Sequence, residues 1–361
     1  MCAALLKEQG YNVIGMFMKN WEELDENGNC SATKDYEDVV RVCEKLDIPY
    51  YSVEFVKEYK DNVFKHFVEE YKAGFTPNPD ILCNREIKFK VFLDKALELG
   101  ADYLATGHYC QNKVIGGEHR LVKGADGNKD QTYFLYTIKK EKLEKVLFPI
   151  GDIEKKEVRK IAEKYDLATK AKKDSTGICF IGERNFKHFL GQFITFTAGD
   201  FKNLKGEKIG THTGASYYTI GQRKGLGLGG PGEPWFVVGK DIDRNVVIVE
   251  RGFYHPALYA DELWADELSW ISDQLSFDLP YRCKAKVRYR QQDQNCVIEK
   301  IEDGVAHVTF DSPQRAITLR QSIVFYSEMK GEQVCLGGGM ISKCGPTYYE
   351  LKKNLPESII V

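Results

Sequence analysis

The strongest constraint in this sequence is a change of hydrophobic period part-way along the chain. Up to about residue 195, short apolar runs of strand type alternate with stretches whose apolar residues recur at helical spacing. Asn12 to Met18 and Tyr50 to Phe55 read as strands, and Lys34 to Leu46 and Asp61 to Tyr71 as helices. Phe89, Phe92, Leu93, Ala96 and Leu97 mark a further helix that stops at Gly100, and Asp102 to Ala105 reads as the next strand. Lys155 to Tyr165 and Asn185 to Phe193 complete the set as helices, and Ala3 to Gln9 opens it as a short one. This alternation predicts a parallel α/β layer, in which loops beyond the carboxyl ends of strands hold ligands. Thr106-Gly107-His108-Tyr109 is such a loop.

From Gly199 onward the pattern changes to short β-type runs, Tyr217 to Ile220, Trp235 to Val238 and Val246 to Val249, separated by Gly, Pro and Asp-Arg-Asn turns. A third section carries evenly spaced strands at Arg282 to Tyr289, Cys296 to Ile301, Ala306 to Phe310 and Ser322 to Tyr326, the pattern of a small antiparallel barrel. The expected organisation is an α/β domain over 1–195, a β-rich central domain over 196–255 and a barrel over 256–350.

With 361 residues, of which 43% are hydrophobic, the chain has material for several buried cores, which excludes disordered and fibrous classes. The 51 basic and 53 acidic side chains nearly cancel, so any nucleic-acid contact needs a local basic patch. No apolar run reaches the roughly 20 residues of a membrane span, and no secretory leader opens the chain, so a cytoplasmic protein with no membrane partner is expected. The ten cysteines are scattered without a CxxC pair, and the histidines show no ligand spacing, so no metal site is expected.

Two stretches carry thiol chemistry. Asn78-Pro79-Asp80-Ile81-Leu82-Cys83 combines a capping Asn, a Pro suited to the first helical position, and a carboxylate and a thiol three apart on one face. The helix dipole favours thiolate at Cys83, while Asp80 opposes it and can move a proton instead. The plain alternative is a capped helix with an inert buried thiol. The stretch from Lys172 to Gly182 places Cys179 in a loop behind Lys170, Lys172 and Lys173, whose charge lowers a thiol pKa and attracts phosphate. Its alternative is a polar loop with one buried Cys. Two such cysteines suit a relay that carries sulfur and closes in a disulfide. Lys129-Asp130-Gln131 suits RNA contacts or a helix start. Arg288-Tyr289-Arg290, read as part of a strand, offers phosphate contacts and a stacking face, or else a solvated strand edge. Gly221 to Gly227 is read as a glycine-rich turn, since it matches no phosphate-binding pattern.

Taken together, Phe17-Met18-Lys19-Asn20-Trp21, Asn78-Pro79-Asp80 with Cys83, Ala105-Thr106-Gly107-His108-Tyr109, Lys129-Asp130-Gln131, Ser175-Thr176-Gly177-Ile178-Cys179-Phe180-Ile181-Gly182 and Cys335-Leu336-Gly337-Gly338-Gly339 resemble the tRNA-specific 2-thiouridylase family over essentially the whole chain. The resemblance implies a parallel-sheet, adenine-nucleotide alpha-hydrolase-like (PP-loop) catalytic domain followed by two β-rich domains. It implies an ATP-dependent sulfurtransferase, with Mg2+, that adenylates the C2 oxygen of the tRNA wobble uridine and displaces AMP with a persulfide sulfur from a donor protein. DNA is not an implied partner. By the same resemblance Cys179 carries the persulfide, Cys83 is the partner nucleophile that ends in a Cys83–Cys179 disulfide, and Asp80 is the acid/base. Asn78, Pro79 and Asp80 cradle the flipped base. Met18 and Gly107 contact the nucleotide, and His108, Lys129, Asp130, Gln131, Arg288, Tyr289 and Gln321 contact tRNA.

Two departures stand out. The family's opening strand and Ser-Gly-Gly-Val-Asp-Ser-type pyrophosphate loop have no counterpart here, since Met1 to Lys7 aligns with the helix after that loop. Met1 is therefore expected to be an internal methionine of a longer protein. A chain complete as given would lack its phosphate cradle, which makes a tRNA-binding homologue with impaired catalysis the alternative, and a thiol-disulfide protein acting without RNA a third reading. The second departure is Thr318-Leu319-Arg320-Gln321, where the family usually has Pro-Gly before the Gln. Arg320 there is expected as a further phosphate contact. The thiol Cys110 has no assigned role.

Overall fold

The structure, a computed structural model, describes residues 1–22, 31–172, 186–272 and 277–360. In the first part, strand Gly15–Lys19 pairs in parallel with Tyr50–Glu54, and helix Ser31–Leu46 lies between them in the chain, as the alternating pattern requires. A second parallel pair, Leu104–Ala105 with Val146–Leu147, continues the same logic. Helices Lys65–Lys72, Leu93–Glu98 and Lys155–Lys164 flank these strands. The core here is aromatic and aliphatic, with Phe67, Ile87, Leu93 and Tyr133 fully buried. Each such side chain contributes roughly 1.5–3 kcal/mol by leaving water.

The run from Pro79 to Glu98 is continuous but unevenly wound. It opens as an α-helix over Pro79–Leu82, widens to i→i+5 winding over Cys83–Phe92, and returns to α over Leu93–Glu98. Phe89 inside the wide stretch leaves helical geometry altogether, at φ −100° and ψ 17°. Wide turns of this kind recur at functional sites because they re-aim side chains that regular helix spacing would bury.

The central sheet has four strands in the order Lys208–His212, Gly199–Lys202, Val246–Arg251, Trp235–Asp241, with the middle pair parallel. The run Tyr217 to Ile220 is not one of its strands. Ala215–Tyr217 forms a 3-10 turn and the chain then stays irregular, with Tyr218 buried against Phe201 and His212.

The third body is a six-stranded antiparallel barrel, Tyr259–Trp270, Tyr281–Lys286, Gln294–Glu302, Val305–Arg315, Ser322–Met329 and Glu332–Cys344, closed by pairing of the first strand with the last. Closure is possible because of the glycine run in the last strand. A Cβ on Gly337 would stand 2.3 Å from the Ser269 carbonyl oxygen, so any side chain there would push the first strand away. The hairpin Cys110–Ile115 with Glu118–Lys123 leaves the α/β part and adds to this sheet, Val122 opposite Val334. One core therefore runs from the α/β layer into the barrel, joining Leu121 and Tyr133 to Tyr326 and Cys335.

Candidate active site

A cleft of about 340 Å³ opens beyond the carboxyl ends of strands Gly15–Lys19 and Leu104–Ala105, the position where open α/β sheets bind ligands. Its walls are Met18 from the first strand, Lys88 and Phe92 from the wide helical turn, Thr106, Gly107 and His108 from the loop after Ala105, and Gln131. Met18, Gly107, His108 and Gln131 were singled out from sequence, and the fold brings them to one place. Lys88, Phe92 and Thr106 were missed. Lys88 and Phe92 stand four apart on a helical run, so a shared face was the available signal.

His108 is buried, with Nδ1 2.8 Å from the Thr106 hydroxyl and its ring packed against Phe89 and Phe148. Burial, reinforced by the Lys88 charge, holds its pKa well below the usual histidine range. A neutral imidazole there offers a hydrogen bond and a flat wall, not a cation. Gln131 turns its side-chain oxygen to accept the Tyr109 backbone N–H at 2.9 Å, which ties the 129–131 segment to the cleft.

At the start of the same helical run, the Asn78 side-chain oxygen accepts the Asp80 backbone N–H at 3.2 Å and Pro79 fills the first helical position, as the sequence predicts. Cys83 follows one turn on and is 3% exposed. Burial pushes the Asp80 carboxyl above the usual range for an aspartate, and Lys88 pulls part of that back. An acid whose pKa is raised this way gives and takes a proton closer to neutrality than a surface aspartate does. Lys88 therefore acts electrostatically on both the cleft histidine and the Asp80 carboxyl. Cys179, with the rest of Ser175 to Gly182 and Lys173, lies outside the described residues.

Comparison with known proteins bears on all three parts of the chain. Residues 1–183 match a family profile described as the tRNA methyl transferase HUP domain, 187–251 its PRC-barrel domain, and 260–341 an aminomethyltransferase beta-barrel domain. The tRNA-specific 2-thiouridylase MnmA of Protochlamydia amoebophila (strain UWE25) is 62% identical over 98% of this chain and 93% of its own length. The protein of the same name from Shouchella clausii (strain KSM-K16) is 58% identical over 94% of this chain and 92% of its own, and that from Bacillus subtilis (strain 168) is 55% identical over 94% and 91%. This chain belongs to the tRNA-specific 2-thiouridylase MnmA family.

Within this MnmA-family chain the outer candidates are half-buried or buried. Lys129 is half-buried at the turn, whereas Asp130 is buried at 4% exposure. The Asp130 carboxylate accepts from the Gly124 and Thr132 backbone N–H groups and the Thr132 hydroxyl, and Lys286 stands 3.7 Å away. It fixes the turn that presents its neighbours.

Arg288-Tyr289-Arg290 is not on a strand. The strand ends at Lys286 and these residues turn, because Arg288 is drawn inward to donate to the carbonyls of Ile220 and Ala316 at 2.7 and 2.8 Å and to the Thr318 hydroxyl at 2.8 Å. A solvated edge reading fails for the same reason. Tyr289 packs on Phe134 at 4.4 Å between ring centres, so this turn joins the barrel to the 132–134 segment. The Gln321 amide donates to the Thr76 carbonyl. Arg320 is paired with Glu70 at 3.0 Å and Glu267 at 2.9 Å, which replaces the expected phosphate contact with a link between bodies of the fold. Cys110 is fully buried near Cys335 and Asp130, and burial drives its thiol pKa up, which makes it inert. Among the described residues no cluster of side chains suits a metal ion, and no helix is long and apolar enough to cross a membrane.

Proposed function

We propose that this chain catalyses the ATP-dependent 2-thiolation of the wobble uridine of tRNA, in the cytoplasm. The observation that carries this reading is that the Asp80–Cys83 turn leads into the helical run whose Lys88 and Phe92 line the cleft. Relatives named tRNA-specific 2-thiouridylase support it over nearly the full chain.

The cleft fits the nucleoside end of ATP. Met18 and Phe92 supply apolar walls for a purine, Gly107 lets backbone approach it, and Lys88 is the cation that lines the cleft, suited to phosphate oxygens with Mg2+. ATP, as substrate, supplies the adenylyl group that makes the C2 oxygen of uridine a leaving group. Asn78 and Pro79 shape the edge against which a flipped base rests, and Asp80 exchanges the proton.

Sulfur arrives from a donor protein as a persulfide on Cys179. Its terminal sulfur attacks C2, a C–S bond forms, and AMP leaves. The Cys83 thiolate then attacks Cys179 Sγ, forming the Cys83–Cys179 disulfide and releasing the transferred sulfur as the thiocarbonyl. Lys129, Gln131 and Tyr289 lie where tRNA would reach the same site, and His108 forms its inner wall.

The test is formation of 2-thiouridine by the purified chain with tRNA, ATP and a persulfide donor. Wild type forms product, Cys83→Ser and Cys179→Ser form none, and Asp80→Asn slows turnover about 100-fold. Product from either cysteine variant removes the relay. Salt-dependent tRNA binding with no product under any condition makes the chain a binding protein instead.

A further inference from the structure

The segment between helix Lys65–Lys72 and the Asn78 cap leads directly into the proposed base cradle, yet it is held mainly from outside. The backbone N–H groups of Ala73, Gly74 and Phe75 close the end of the preceding helix on Glu69, Tyr71 and Glu70. Among the described residues, Thr76 and Pro77 make no backbone-to-backbone hydrogen bond. Side chains of the other two bodies hold the segment instead. Lys240, on the central-sheet strand Trp235–Asp241, donates to the Gly74 carbonyl. Thr219, from the same body, meets the Thr76 hydroxyl at 3.1 Å. Gln321, at the start of barrel strand Ser322–Met329, donates to the Thr76 carbonyl. Gly74 sits at φ +81° with Ile242 packed under it, so closely that a Cβ would stand 2.2 Å from that side chain.

We propose that Lys240, Thr219 and Gln321 are positioning residues that clamp 74–76 from both β bodies and so set the placement of Asn78, Pro79 and Asp80. Three attachments over three residues leave little freedom at Asn78, two residues beyond. Loss of any one lets the cradle wander, and a displacement of about 1 Å at a reacting group is enough to slow turnover steeply. Gln321 would then serve the reaction through the protein backbone, without touching tRNA. This inference rests on the thiolation reading for its kinetic consequences but not for its structural ones.

Thr219→Val removes the hydroxyl at nearly constant shape, Thr219→Ser keeps it, and Gln321→Ala removes the barrel's hold. Hydrogen exchange over residues 73–84 and steady-state thiolation, with a thiol reductant present to reopen the Cys83–Cys179 disulfide after each cycle, are measured on the full chain. The clamp predicts faster exchange in that peptide alone for Thr219→Val and Gln321→Ala. It also predicts kcat about fivefold to tenfold lower with the KM for tRNA unchanged, and Thr219→Ser behaving as wild type. Wild-type exchange and wild-type kcat in both variants overturn it. So does a raised KM for tRNA at unchanged kcat in Gln321→Ala, which would make Gln321 a tRNA contact. Should the wild type form no 2-thiouridine, the thiolation reading falls, and the exchange comparison alone decides whether the clamp exists.

Discussion

At Arg320 the chain holds a β-carbon at φ +64°, a conformation glycine takes freely and other residues adopt at a cost of about 1–2 kcal/mol. The ion pairs with Glu70 and Glu267 explain how an arginine is tolerated there. Arg320→Gly is therefore expected within about 0.5 kcal/mol of wild type, and Arg320→Ala, which keeps the strain and loses both pairs, about 1 kcal/mol below Arg320→Gly. Urea unfolding of the two variants checks this, and equal stability of Ala and Gly would remove the strain argument. Asp80 shows the opposite balance. Burial raises its folded pKa, so its contribution to stability is full below the unfolded pKa and is lost as pH rises through the folded one. Asp80→Asn is expected to be at least as stable as wild type at pH 7, with that advantage gone below about pH 4, while its turnover falls. An Asn variant less stable at pH 7 would contradict the burial account.

At the scale of elements, the alternating period made strands Gly15–Lys19, Tyr50–Glu54 and Leu104–Ala105 readable, and the β-type spacing four of the six barrel strands, because both rest on local side-chain periodicity; Val146–Leu147 and the barrel's first and last strands were not read. The Cys110–Lys123 hairpin was not recognised, although Gly116-Gly117, at φ +65° and +85°, is a strong two-residue hairpin signal. Its strands are rich in polar residues that blur the alternation, such as Gln111, which bonds across the hairpin to the Lys123 carbonyl, and Asn112, which bonds to the distant Leu143 carbonyl. Arg288 was placed on a strand because apolar alternation runs on through Val287 and Tyr289. What ends the strand is a set of carbonyls supplied by residues 220 and 316, which no local pattern reveals. Lys240 was invisible for the same reason. Burial lowers its pKa to about 8, so its contribution to stability is lost as pH falls through 8 and grows as pH rises toward the unfolded value near 10.4. The stability difference between wild type and Lys240→Met should therefore rise between pH 8 and 10 and stay flat below pH 7. A difference that is flat throughout would mean that Lys240 is fully solvated.

Over the whole molecule, the motifs proposed for chemistry lie in the α/β part, and the β bodies hold its loops in place. Besides the clamp, Lys123 of the hairpin pairs with Asp293 of the barrel at 2.5 Å, and Lys286 stands 3.8 Å from the same carboxylate. Removing that carboxylate strands the poorly solvated Lys123 ammonium and leaves Lys286 with Asp130 alone, so Asp293→Ala should lose about 3 kcal/mol, read as a lower unfolding midpoint. An unchanged midpoint would show that the two bodies are not joined there. The capped turn from Asn78 to Cys83 was legible in the sequence, whereas the cleft that gathers Met18, Gly107, His108 and Gln131 around Lys88 needed the fold. The most direct test of the central claim is to count AMP and modified nucleoside in one reaction of the chain with tRNA, ATP and persulfide donor. The account predicts equal amounts of AMP and 2-thiouridine at the wobble position. AMP without sulfur incorporation, 2-thiouridine formed without AMP, or a methylated base in its place would contradict it.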